Sequence, residues 1–488
     1  MSALARAIAL FGASSFIGTL TQVARGKLAA VVLGPAGVGV LGQLTNLWTM
    51  LHALSGLSMF NGIVQRIAAG RRDGDDRVVR GQFASSLYFL TGFSCLAAIC
   101  GALLSSTISG AIFGDGGERA WLVALIILSV PLGVTSQTYR SLLTGHALVK
   151  PVVRAQVASD LVGLVLFVPL VIYFGLWGAV LSFCLLQLLK LVFQLRAVTV
   201  TVGASFLVPD ASAFDWKEVR ANVGFGANGI VMAMMSIGCT LVVFRMIIGQ
   251  EGLEAAGIYG AAMKVATLYF GAVYAAAGGY LLPVLVSAGE GSALQDKVNE
   301  TSQMYLFLLP PAIVGILCLA PELMAILFTT EFSPSARLLA LILPADLLRI
   351  TAETMGLAFL ATRRLGRYTG LYLAWVVLFL AGSYWQLSVS GLSGVAGAYA
   401  ASHIVNFILV VLMCWHAFGL SVSRVTWFAL GAGLSACVAM AALVWAGMDL
   451  SIRLLAGAVI LALWLMAAFR VHAFRGLFGK LIAKARAA

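Results

Sequence analysis

Charge is scarce in this chain. Only 10% of its 488 residues are Asp, Glu, Lys or Arg, and acids are the rarer kind, 19 against 31 bases. With 61% hydrophobic residues and apolar runs of about 20 residues recurring from end to end, that excludes an ordinary soluble domain. No polar stretch is long enough to fold separately. Cysteine is sparse as well. The seven (Cys95, Cys100, Cys184, Cys239, Cys318, Cys414, Cys437) stand singly in apolar segments, which argues for core packing over disulfides or metal. No His, Cys and carboxylate cluster has metal-ligand spacing, and no Gly-x-x-x-x-Gly-Lys-Ser/Thr loop is present. The expectation is a protein without cofactor and without ATP hydrolysis.

What remains is an all-α polytopic membrane protein. About fourteen hydrophobic segments are legible, near 6–33, 38–69, 83–108, 120–145, 155–174, 176–196, 221–249, 256–286, 301–328, 336–361, 368–388, 392–418, 425–447 and 452–470. The start, 1–20, superficially resembles a secretory leader, but it lacks a small-x-small cleavage site and its apolar run continues through Val32. It reads as an uncleaved first helix.

The bases orient the spans. With both termini inside, 23 of the 31 Lys and Arg fall on the cytoplasmic side and three (Arg119, Arg337, Arg453) outside. The net charge of +12 therefore follows membrane topology and does not argue for nucleic acid. No outer loop exceeds about a dozen residues, so there is no room for an extramembrane catalytic domain.

The second half restates the first. Val31-Val32-Leu33-Gly34 before Gly37-Val38-Gly39 matches Met246-Ile247-Ile248-Gly249 before Ala256-Gly257-Ile258-Tyr259-Gly260, at offsets of 215 and then 218 residues. Both copies start on the same side, so the expected plan is two parallel six-helix lobes with pseudo-two-fold symmetry and a C-terminal helical hairpin. The expected boundaries are 1–196 for the first lobe, 197–220 for a cytoplasmic linker, 221–418 for the second lobe, and 419–488 for the hairpin and a basic tail.

Five bases lie inside spans: Arg25, Lys27, Arg245, Lys264 and Arg349. Arg25 ends a helical stripe of Ser14, Gly18, Thr21 and Gln22, a small polar face on an oily helix. Burying its charge costs roughly 2.5–3.5 kcal/mol on the lenient insertion scale, which points to a water-lined path and an anion. The offset of 215 carries the stripe onto Gly229, Ala233, Ser236 and Thr240, extended by Asn222 and Gly226. Such stripes either line a cavity or allow close helix packing.

Lys27 lies on another face, where snorkelling is the competing reading. Arg245, four residues before Gly249, serves either a cavity or the interface. Lys264 shares its face with Thr267, Gly271, Tyr274 and Gly278. Asp346, Arg349 and Glu353 share a face as either an intrahelical ion triad or a proton- or cation-responsive site. They supply the deep carboxylates of the chain, because Asp160 and Glu322 are expected near span ends. His52 is a core histidine or a proton relay, and His403 with Asn406 is equally two-sided. Gln43, Asn46 and Asn61 either meet sugar hydroxyls or tie helices together. Arg66 and Arg140 lie near the cytoplasmic mouth, where positive-inside placement explains them as well as attraction of anionic head groups does.

Leu33-Gly34-Pro35-Ala36-Gly37-Val38-Gly39 after the first span and Met59-Phe60-Asn61-Gly62-Ile63-Val64-Gln65-Arg66 at the end of the second resemble the polysaccharide-lipid flippases (Wzx type). These belong to the multidrug/oligosaccharidyl-lipid/polysaccharide (MOP) exporter superfamily. The resemblance in layout covers nearly the whole chain. It implies an inner-membrane transporter, not an enzyme, that moves an undecaprenyl-diphosphate-linked oligosaccharide (an O-antigen, capsule or exopolysaccharide repeat unit) to the periplasmic leaflet by alternating access. The expected partners are that substrate, membrane lipids, and the polymerase and export components of its pathway.

On this reading Arg25, Lys264, Arg349, Arg245, Lys27, Gln22 and Asn46 meet substrate, because a planar guanidinium binds diphosphate oxygens bidentately. Asp346, Glu353 and His52 would couple ions. A cation-coupled drug antiporter of the same superfamily is the alternative, and it needs a buried acid in the first lobe, where only a buried arginine is expected. A membrane-embedded polymerase or ligase fits less well, lacking a periplasmic loop.

Overall fold

The computed structural model describes residues 3–470, with no side-chain description at 3–9, 11, 225, 270–283 and 469–470. The candidate face residues Gly271, Tyr274 and Gly278, the base Arg6 and the tail bases Arg475, Lys480, Lys484 and Arg486 therefore lie outside what is described. Among the described residues there is no strand.

Contacts divide the chain into two compact units, Met1–Gly257 and Ile258–Ala488. The first holds α1 (Ala3–Ser55), α2 (Phe60–Arg72), α3 (Asp76–Leu103), α4 (Ser105–Phe113), α5 (Ala120–Leu128), α6 (Val130–Gly145), α7 (Val149–Thr201) and the start of α8 (Trp216–Ala288). The second holds the rest of α8, α9 (Ser292–Cys318), α10 (Ala320–Leu327), α11 (Ser335–Ala361), α12 (Leu365–Phe418), α13 (Arg424–Trp445) and α14 (Leu450–Arg470). Nine helices among the described residues have the length and apolarity to cross a membrane, and four of them are 44 to 54 residues long. At about 20 residues per crossing, each of those four is a bent pair.

The bends repeat. Gly34 (φ 63°) breaks α1 and Gly252 (φ 86°) breaks α8; Gly175 (φ 54°) breaks α7 and Gly391 (φ 58°) breaks α12. Positive φ is inexpensive only for glycine, which explains the residue type at all four turns. Two non-glycine residues share the pattern, since Ala147 and Arg363 both stand at φ 58°, 216 positions apart. Gly178 and Gly394 are also equivalent: a Cβ would fall 1.8 Å from the Leu170 oxygen and 2.1 Å from the Gln386 oxygen. The match of Gly34 with Gly249 needs correction. Gln250 and Glu251 remain helical, so the bend falls three residues later, at Gly252.

The second hydrophobic segment, expected to run unbroken over 38–69, is interrupted. Helix α1 ends at Ser55 and α2 begins at Phe60, with Leu57 (φ 47°) and Ser58 (φ 51°) in left-handed backbone between them. Gly226 and Gly229 of α8 pack on this break. A Cβ at Gly226 would lie 2.1 Å from the Leu57 oxygen, and one at Gly229 would lie 2.9 Å from Ser58 Cβ. For these two members of the second stripe, close backbone packing accounts for the small residue.

The segment 197–220 is packed onto its own unit. Helix α7 continues to Thr201, and Phe206 is buried with Phe83 and beneath the Arg80 guanidinium, 5.0 Å from its ring. Tyr139 donates to the Leu207 oxygen at 2.5 Å, Tyr88 donates to the Pro209 oxygen, and the Asp215 N–H donates to Ser85 Oγ at 2.8 Å. Asp215 then accepts from the Lys217 N–H at 2.8 Å, and Arg66 pairs with Glu218, fixing the start of α8.

In the second unit the start of α14 is fixed by Arg453, only 3% exposed, which donates to the oxygens of Cys318 (2.7 Å) and Met448 (3.0 Å) and pairs with Glu322. Every nitrogen of a buried guanidinium needs a partner, and this one has three. At the loop after α4, Asp115 accepts from Ser109 Oγ (3.0 Å), the Gly117 N–H (2.9 Å) and Arg119 (2.9 Å). Burial works to raise its pKa, but these donors outweigh burial and hold the carboxyl below the usual carboxylate range. All seven cysteines are free.

Candidate functional site

Among the described residues, a cluster of charged side chains lies between the helices of each unit. In the first, Arg25 on α1 reaches α7, donating from Nη2 to the backbone oxygen of Asp160 at 2.7 Å. The guanidinium lies on Gly163, where a Cβ would stand 2.9 Å from Nη2. Its Nε is buried without a partner. The Asp160 carboxylate accepts from Gln156 Nε2 at 2.8 Å and faces Gly18, whose Cβ would be 3.5 Å from Oδ2. Gly18 belongs to the α1 stripe, so stripe and acid share one wall.

Two further cations converge there. Lys190, on the second half of α7, and Arg140, on α6, both lie within electrostatic reach of Asp160, and Lys190 also senses Arg25 and Arg140. Asp160, 7% exposed, is thus the acid within electrostatic reach of three cations. Among the described residues no direct ion pair joins any of the three to Asp160. Asp160, expected near a span end, is buried in the bundle. It stands eleven residues into α7 and packs against α1, so the first unit does contain a buried acid.

Asp160, Lys190 and the inward role of Arg140 escaped the sequence reading. A usable signal existed: Gln156, Asp160 and Gly163 share one face of α7, and Gln187, Lys190 and Gln194 share a second. Gln187 and Gln194 are both 3% exposed, which completes a polar lining on that helix.

The other first-unit candidates scatter. Gln22 is exposed on the stripe beside Arg25, while Lys27 and Asn46 are half-buried. His52 stacks on Trp48 (4.7 Å) and Phe60 (5.7 Å), and its ring lies against Gly133, where a Cβ would stand 3.1 Å from Cδ2. Gln43 is fully buried and ties α1 to the oxygens of Ile112 (3.3 Å) and Leu241 (3.2 Å), a helix-joining role. Arg245 lies against Gly114 and Gly249, seven residues before the bend in α8, and shares no contact with Arg25 among the described residues.

In the second unit Asp346 is fully buried and receives one hydroxyl on each oxygen, Tyr269 and Tyr399, both at 2.7 Å. Arg349 Nη1 lies 3.9 Å from Asp346 and donates to the Tyr399 oxygen at 3.1 Å, while its Nε donates to Glu353 at 2.8 Å. The three residues that share a face on α11 thus form an ion triad, and the two tyrosines from α8 and α12 are the unforeseen members. Opposing acids bracket Arg349, leaving it less able to recruit an anion than the cations around Asp160. His403, 3% exposed, sits edge-on to Tyr399 (4.4 Å) and stacked on Trp375 (5.2 Å), with neither ring nitrogen partnered. Lys264 is exposed on α8 and, among the described residues, makes no hydrogen bond or ion pair with either cluster. Among the described residues no three His, Cys, Asp or Glu side chains gather to hold a metal.

The fold recurs in solved transporters. It superposes on a lipid II flippase MurJ in an inward closed conformation with a TM-score of 0.71, covering 97% of this chain and 99% of that one at 12% identity. It also superposes on an inward-facing multidrug resistance MATE family transporter of the MOP superfamily, with a TM-score of 0.67 and 14% identity over 85% of this chain and 98% of that one. The chain thus has the fold of the MOP-superfamily membrane transporters. Residues 27–289 match the model of the polysaccharide biosynthesis protein family, and the chain belongs to that family. By sequence it is similar to the lipid III flippases of Escherichia coli (strain K12) and Shigella flexneri, 24% identical to each over 421 residues, 84% of this chain and 99% of each relative.

Proposed function

We propose that this chain is a flippase for an undecaprenyl-diphosphate-linked oligosaccharide, carrying an O-antigen, capsule or exopolysaccharide unit from the cytoplasmic to the periplasmic leaflet by alternating access. On this reading it is an inner-membrane protein of fourteen crossings with both termini in the cytoplasm. The relatives named as lipid II and lipid III flippases support a lipid-linked substrate.

The observation that carries the proposal is the surplus of positive charge around Asp160. Arg25, Arg140 and Lys190 share a single acid, in a bundle where an unpaired cation is costly. A diphosphate diester brings two negative charges and oxygens suited to guanidinium and ammonium donors. Arg349 and Lys264 supply further positive charge in the second unit, with Asp346 and Glu353 positioned to modulate Arg349 and a coupling ion.

The drug-antiporter reading gains one observation. Its requirement for a buried first-lobe acid is met by Asp160. What weighs against it is the sign of the surroundings, three cations against one carboxylate. Reconstitution in vesicles with a lipid-diphosphate sugar loaded in the inner leaflet decides between them. Protein-dependent appearance of the sugar outside supports the flippase, whereas drug–proton exchange without sugar movement overturns it.

A further inference from the structure

We propose that Asp160 is the release element of the diphosphate site, a built-in carboxylate that keeps three surrounding cations from holding the substrate too tightly. The inference rests on the flippase reading and adds a residue whose job is weakness rather than binding. A transporter must bind and also let go, so a site that is too cationic becomes a trap.

The geometry fits that task. The carboxylate is not locked to any of the cations: its Oδ2 accepts from neutral Gln156 at 2.8 Å, and Arg25 is steered to the backbone oxygen of the same residue at 2.7 Å. Asp160 is nevertheless the acid that Arg25, Arg140 and Lys190 all sense. With it ionised, the site carries a surplus of two positive charges, the charge of a diphosphate diester with the sign reversed. The loaded site is then neutral. Without Asp160 the loaded site keeps one extra cation facing the phosphates, in surroundings where such an attraction is poorly screened.

Binding of farnesyl-diphospho-N-acetylglucosamine to the purified full chain in detergent, paired with vesicle flipping rates, tests this. Asp160→Asn is expected to tighten binding about tenfold, a change of ~1.4 kcal/mol, while slowing turnover. The double variant Asp160→Asn with Lys190→Gln restores the surplus of two and is expected to bring affinity and turnover back toward the parent chain. A merely structural role for Asp160 would not be rescued by deleting a cation. Unchanged or weaker binding in Asp160→Asn, or a double variant worse than either single, overturns the inference and leaves the flippase reading intact. Failure of the parent chain to bind the probe overturns the flippase reading and this inference with it.

Discussion

Arg25 Nη2 meets the backbone oxygen of Asp160 at 2.7 Å rather than its carboxylate. The helix main chain, not the acid, fixes the guanidinium, and its charge remains largely uncompensated inside the bundle.

From this follows the sharpest expectation for transport. Arg25→Ala should abolish lipid-linked sugar flipping in reconstituted vesicles and Arg25→Lys should retain a fraction, because lysine keeps the charge but loses the planar fork. Lys27→Ala, two residues away on another face, should have a small effect. Equal, small losses at both positions would remove Arg25 from the substrate path.

Lys190 and Arg140 should behave as partners of Arg25. Lys190→Gln and Arg140→Gln are each expected to weaken diphosphate binding by about tenfold, and their effects should fail to add with Arg25→Ala, since groups sharing one guest are coupled. Strict additivity in titrations of the three double variants would show that they serve separate sites.

Asp346 offers a stability test. Tyr399→Phe and Tyr269→Phe each strip a hydroxyl from a fully buried carboxylate, a loss of about 1–3 kcal/mol. His403→Leu should be neutral or stabilising, because neither ring nitrogen has a partner to lose. Thermal unfolding in detergent ranks the three. A His403→Leu variant as damaged as Tyr399→Phe would indicate that the imidazole is hydrated and needed.

Two helix pairs depend on absent side chains. Gly178→Ala and Gly394→Ala each drive a methyl into a carbonyl oxygen and should abolish accumulation of folded protein. Gly397→Ala, with nothing within 4 Å of its added carbon, should be tolerated. Size-exclusion profiles of the three separate the outcomes.

Asp115 predicts a pH dependence. Its folded pKa lies below the usual carboxylate range, so its contribution is fully present above the unfolded value and is lost as pH falls through the folded one. Asp115→Asn should lower the melting temperature at neutral pH, with a cost of about 1–3 kcal/mol. The gap to the parent chain should narrow in strong acid. A gap independent of pH would mean that packing, not charge, explains the loss.

The helical architecture and its duplication were legible because hydrophobic run length and glycine position are local signals. Arg25 was legible for the same reason, a charge out of place on an oily face. Asp160 and Lys190 were not, because each is sited near a helix end by hydropathy alone, and only the length of α7 and its fold-back at Gly175 carry them inward. Tyr269 and Tyr399 were invisible as partners of Asp346, since tyrosines 130 positions apart carry no sequence mark of sharing an acid. The break at Leu57 and Ser58 was also hidden. Leucine and serine do not advertise left-handed backbone, and the glycines that permit it sit on another helix, at Gly226 and Gly229.

The segment between the two hydrophobic halves has a practical consequence. A fragment ending at residue 196 would cut the last turn of α7 and forfeit Phe206, leaving an aromatic hollow between Phe83 and Tyr139. Tyr88, Tyr139 and Ser85 would lose their partners together. The folded first half therefore reaches past the end of its last hydrophobic segment, and any grafting of it onto a foreign second half should carry residues 197–220 along.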